Sequence, residues 1–189
     1  MCRALIALSF LLLVQASAAP VRVWTFTNDL QGWTPGNWES TAIDSKGFSG
    51  VSKYDCGLLS PKLGIEAEDY PELLVSMTTD IGGGGETFFK SVGKGLTDER
   101  KARHVAVAST KPRLYRILLQ DQPGWEGAID QIRFDPLNPA GAKIKIDFIA
   151  LMPKAGMSPV NGSMEIMRDG KPLGWEAGGT GATVTHENP

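Results

Sequence analysis

KIKIDFIAL, residues 143–151, sets Ile144, Ile146 and Phe148 against Lys143, Lys145 and Asp147 with a period of two. That is the alternation of a β-strand with one face in a core and one in water, and it predicts a shared core face for the three apolar side chains. Working outward, strand-like runs recur at 21–26, 72–79, 87–92, 104–108, 113–120 and 128–134. Between them stand turn formers: Gly32, Pro35-Gly36, Gly47, Gly50, Pro61, Pro112, Pro123-Gly124, Asp135-Pro136 and Pro139-Ala140-Gly141. Gly82 to Gly85 reads as a mobile hairpin loop. Strong helical periodicity is missing, so the chain is expected to be all-β, an antiparallel β-sandwich whose two layers share one core.

The N-terminus orders Arg3, an apolar run over 4–14 and the small residues Ala16-Ser17-Ala18-Ala19, which predicts a cleaved secretory signal peptide over residues 1–19 and a secreted or extracytoplasmic product. No later run offers the roughly 18 apolar residues of a membrane span. Cys2 leaves with the leader, so Cys56 has no intramolecular disulfide partner and is expected as a buried small apolar residue. The 19 lysines and arginines, Arg3 among them, face 21 aspartates and glutamates, a balance that argues against nucleic acid as partner. One module is expected over 20–153 and a linker with Gly156 and Pro159 over 154–160. Residues 161–189 repeat the opening pattern, Gly174-Trp175 echoing Gly32-Trp33, and read as the partial start of a second, similar module, with further domains of the same chain to follow.

Residues 26–33, Ser60-Pro-Lys-Leu63, Trp125-Glu-Gly-Ala-Ile129, Ile132-Arg-Phe-Asp-Pro136 and Ile146-Asp-Phe-Ile149 occur in order. In these motifs the chain resembles the galactose-binding-like jelly-roll domains, in particular the carbohydrate-binding modules of secreted polysaccharide-degrading enzymes. The resemblance implies a jelly-roll sandwich, a poly- or oligosaccharide partner and a structural calcium ion. It assigns the calcium to Asp147 in the last strand and to Asp55, with Thr27 and Asn28 standing where a first-strand acid is expected. Calcium's preference for several oxygen ligands suits such a set.

Other chemistry is thinly represented. His104, His186 and Cys56 are too dispersed for a zinc site, no Lys-Ser/Thr follows the glycine run, and no Gly-x-Ser-x-Gly elbow is present. Glu66, Glu68, Asp69, Glu72, Asp98 and Glu99 lie in polar connecting stretches and read as solvated charge rather than a glycosidase pair. No catalysis and no organic cofactor are expected. Aromatic rings remain as sugar platforms. Trp38, Tyr54 and Trp125 stand in turn-rich stretches beside Asn37, Glu39, Asp55, Gln122 and Glu126, although the Trp-x-Gly-x-Ile pattern of Trp125 also suits a turn. Trp24 and Trp33 read as packing residues. The chain is therefore expected to be a non-catalytic accessory module that binds carbohydrate within a larger secreted protein. The alternative is a structural or adhesive spacer with no glycan ligand.

Overall fold

The structure, a computed structural model, describes residues 19–154 and, by backbone alone, the pair Met167–Arg168 and Lys171–Pro172. The leader reading of 1–19, apart from Ala19, the linker beyond Lys154 and, apart from that pair, the second-module reading of 161–189 lie outside the described residues. Among the described residues no helix is long and apolar enough to cross a membrane.

Ten strands run through the described module: β1 Arg22–Trp24, β2 Thr34–Asp44, β3 Gly47–Leu59, β4 Ile65–Glu66, β5 Glu72–Thr79, β6 Gly83–Ser91, β7 Lys101–Ala106, β8 Ser109–Leu118, β9 Ala128–Asp135 and β10 Lys143–Met152. β11 Met167–Arg168 and β12 Lys171–Pro172 form a separate antiparallel pair. Hydrogen bonding follows the order β7-β6-β9-β3-β10-β5-β8, with β1 beside β10, β2 beside β3 and β4 beside β9, and every pairing is antiparallel. β7 and β8 stand at opposite ends of that order, yet only Val107 and Ala108 separate them in sequence. A two-residue link cannot span a flat sheet of seven strands, so the sheet folds back into two layers.

β3 is the strand that passes between the layers. Its first part pairs with β10, Phe48 opposite Ile146 and Val51 opposite Lys143. Its last residues, Leu58 and Leu59, pair with Phe134 and Arg133 of β9. The crossing is made where β2 slips register around Trp38 and where Asn37 and Asp55 both adopt φ of 58°. Asn and Asp are among the side chains that tolerate this left-handed region best.

The long β2–β3 hairpin is missing from the sequence-based strands because it is rich in Gly, Pro and Ser. Two of its glycines, Gly50 and Gly57, serve neighbours rather than turns. A Cβ on Gly50 would enter the Trp38 ring, and one on Gly57 would enter the Asp135 carboxylate. Gly83 to Gly85 likewise lie within β6, paired with Ala106, Val105 and His104 of β7, and do not form the expected loop. Gly85 is required there because the His104 imidazole occupies the space of its missing side chain.

The core between the layers holds Phe26, Phe48, Leu58, Phe89, Ile129, Ile132, Phe134 and Ile146, each with essentially no exposed surface. Each such side chain contributes roughly 1.5–3 kcal/mol of burial. Trp33 is buried and meets Trp24 edge-on at 5.3 Å, in line with the packing role expected of both. Cys56 is buried too, and burial pushes its thiol up to about 12. Ile144 and Ile146 enter this core as expected, but Phe148 does not. The ladder to β5 shifts between Ile146 and Phe148, so Asp147 is an extra residue in a β-bulge. Phe148 emerges on the outer face, in a second cluster with Leu74, Ala150 and Met152.

Candidate functional site

Pairing registers define one outer face of the layer β3-β9-β6-β7. Glu86 of β6 lies opposite Asp135 of β9 and Arg103 of β7, while Phe88 lies opposite Arg133 and Lys101. Side chains two apart in a strand share a face, so Glu86, Phe88, Arg133, Asp135, Lys101 and Arg103 all point away from the core. Their neighbours Thr87, Phe89 and Phe134 are fully buried on the inner side.

Two cations flank the Phe88 ring. Lys101 Nζ stands 5.1 Å and the Arg133 guanidinium carbon 5.4 Å from its centroid, within cation–π range. Each cation is also held by carboxylates. Lys101 Nζ lies 2.8 Å from Glu86 Oε1 and 3.1 Å from Asp98 Oδ1. Arg133 reaches Asp135 Oδ1 through Nε at 2.8 Å and Asp55 Oδ1 through a terminal nitrogen at 2.5 Å. Asp135 is 3% exposed, and burial drives its carboxyl up to about 7 against the pull of Arg133. Gly57 makes room for this pair, since any side chain there would displace the Asp135 carboxylate.

The rim of the face is built at the β2–β3 crossing. Asn37 donates its side-chain amide to the Asp55 carbonyl at 3.3 Å, and Arg133 donates to the same oxygen at 3.2 Å. Beside them Tyr54 is 80% exposed, the most exposed large hydrophobic side chain of the described module. The arrangement presents one half-buried ring, one exposed ring and hydrogen-bonding groups of both kinds. Flat rings pack against the C–H faces of sugars, while guanidinium and carboxylate groups bond paired hydroxyls.

The residues expected to bind ligand separate in the structure. Tyr54 stands at this rim. Trp38 is half-buried, its indole donating to the Gly57 carbonyl at 2.9 Å and its ring edge-on to Phe48 at 5.0 Å. Trp125 is 7% exposed, donates to the Ala67 carbonyl at 2.9 Å and packs edge-on against Phe89 at 5.2 Å. Its ring is largely buried, with the rest lining a recess beside Glu66, Glu68 and Gln120. Phe88, Arg133, Lys101, Glu86 and Asp135 were not visible as a group. The only signal was the alternation Glu86-x-Phe88 and Arg133-x-Asp135, which needs the β6–β9 register to become one surface.

Of the expected calcium ligands, Asp55 and Asp147 are not brought to one point. Asp147 sits in the β10 bulge beside the start of β3 and accepts from the Ser76 hydroxyl at 3.0 Å. Asp55 lies eight residues further along β3, on the order of 25 Å of extended chain, and is paired with Arg133. Thr27 and Asn28 follow β1 in a loop organised by its own side chains: Gln31 Oε1 accepts from the N–H groups of Thr25 at 2.7 Å and Phe26 at 3.0 Å. No group of three or more His, Cys, Asp or Glu suited to a metal ion occurs among the described residues. Asp55, held by Arg133, thus stands apart from Asp147. Of the weighed carboxylates, Glu72 is buried against Arg116, and Asp98 serves Lys101.

Solved structures sharing this fold include carbohydrate-binding modules of family 29. One variant from work on their ligand recognition superposes with a TM-score of 0.51 at 11% identity, over 71% of this chain and 92% of that one. A second gives 0.50 at 13% identity over 71% and 92%, and a third 0.50 at 10% identity over 70% and 86%. The chain thus shares the antiparallel jelly-roll β-sandwich fold of these modules. No protein-family model matches it, and no curated protein does so either.

Proposed function

We propose that this chain is a non-catalytic extracellular module that binds a poly- or oligosaccharide across the outer face of β3, β9, β6 and β7. The observation that carries the reading is Phe88 held between Lys101 and Arg133, with their partners Glu86 and Asp135 alongside and exposed Tyr54 at the rim. The ring supplies stacking, and the ion pairs hold donors and acceptors in fixed positions before ligand arrives, which lowers the ordering cost of binding. The likeness of fold to family 29 modules supports the same class. Membership of a larger secreted protein belongs to this proposal too, supported by the leader-like residues 1–19 and the tail at 161–189.

Titration calorimetry with soluble oligosaccharides tests it. Phe88→Ala and Arg133→Ala are expected to weaken binding at least tenfold, about 1.4 kcal/mol, with no release of reducing ends by the wild type. Unchanged affinity in both variants would sink the assignment. The spacer reading is favoured by one fact: all four tryptophans of the described module are buried or half-buried, leaving Tyr54 as its most exposed ring. Failure of every glycan to bind would favour that reading.

A further inference from the structure

An antiparallel sheet in a two-layer sandwich ordinarily leaves its outer face to water and polar side chains. The layer of β1, β10, β5 and β8 departs from this. Beyond the Asp147 bulge, Phe148, Ala150 and Met152 of β10 turn outward, as does Leu74 of β5, which lies opposite Ala150. The four form a cluster separated from the main core by the sheet itself, and their exposures are 1%, 0%, 4% and 1%. The described hydrophobic side chains packed against them are Val21, just before β1, and Leu114 of β8. Both belong to the flanking chain segments of the same layer and close the cluster from the sides. Val23 at 37% exposed and Leu118 at 38% extend the apolar surface along it.

We propose that residues 155–189 dock on this face and form a third layer over Leu74, Phe148, Ala150 and Met152. The segment leaves the module at Met152-Pro153-Lys154, at the edge of the cluster, so it reaches the face without crossing the molecule. Its 155–175 stretch carries Met157, Val160, Met164, Ile166, Met167, Leu173 and Trp175, apolar material suited to an aliphatic and Phe surface. It also contains the antiparallel pair β11–β12, a two-stranded element that needs an apolar surface to be stable.

The test uses the leader-free chain, residues 20–189, in which Met167→Cys provides the accessible thiol for a spin label because Cys56 is buried. The label is expected to at least halve the methyl signals of Leu74, Ala150 and Met152, leaving those of Ile129 and Ile132 in the other layer intact. As a second readout, the double variant Ile166→Asp, Met167→Asp should raise binding of a hydrophobic dye and lower the melting temperature by several degrees. Unbroadened Leu74, Ala150 and Met152 methyls overturn the proposal. So does broadening that appears only as protein concentration rises, which assigns the face to a second copy of the chain.

Discussion

Ile146 and Phe148 are two residues apart in one strand and face opposite sides of the sheet, Ile146 in the core between the layers and Phe148 in the outer cluster. Asp147, the bulged residue between them, produces this inversion. Removing it would make Ile146 and Phe148 consecutive, opposite the consecutive Met77 and Ser76 with which they already pair, and plain alternation would keep each on its present face. Deletion of Asp147 is therefore expected to leave urea unfolding cooperative, as are Phe148→Ala and Ile146→Ala, each of which costs about 2–5 kcal/mol. Loss of cooperative unfolding on deletion would show that the bulge does more than set the facing of Phe148.

Trp125 separates stability from binding. Its indole is buried against Phe89 and bonded to Ala67, away from the charged face. Trp125→Ala should lower stability by about 3–5 kcal/mol, while the folded fraction retains wild-type affinity for any glycan that the Phe88 face binds. Calorimetry beside a urea titration checks this, and a selective loss of affinity would return Trp125 to the binding site.

Two buried groups give opposite pH dependences. Burial holds the His104 imidazole down to about 4 from its ordinary 6.5, so the unfolded chain binds the extra proton across that interval. This contribution to stability is complete above pH 6.5 and is lost as pH falls, by on the order of 3 kcal/mol. For Asp135, burial raises the carboxyl from 3.8 to about 7, so the folded chain binds the extra proton. That contribution is complete below pH 4 and is lost as pH rises toward 7. The slopes oppose one another, and the wild-type urea midpoint should be nearly flat between about pH 4 and 6.5. His104→Phe should make stability fall with rising pH, and Asp135→Asn should make it rise. Flat profiles in both variants would contradict the burial argument.

Calcium should not matter to the described module. An ion at 100 times its dissociation constant would add about 2.7 kcal/mol to the folded state. Because Asp147 and Asp55 lie at different parts of β3's path, melting curves with calcium and with chelator are expected to coincide. A chelator-induced drop that Asp147→Asn removes would place an ion at the β10 bulge.

The strands at 72–79, 128–134 and 143–151 were legible in the sequence because alternation and β-branched residues are local signals, and they match β5, β9 and β10 closely. So were the buried Cys56, the packing roles of Trp24 and Trp33 and the jelly-roll class. Three features depended on neighbours far away in sequence. Gly50, Gly57 and Gly85 look like turn residues until Trp38, Asp135 and His104 are seen to fill the space where a Cβ would stand. Phe88 becomes part of a site only through the β6–β9 and β6–β7 registers that set Arg133 and Lys101 beside it. Phe148 fits the period of two perfectly and still faces outward, because a bulge is settled by how two strands pair, and the pattern of one strand carries no record of its partner.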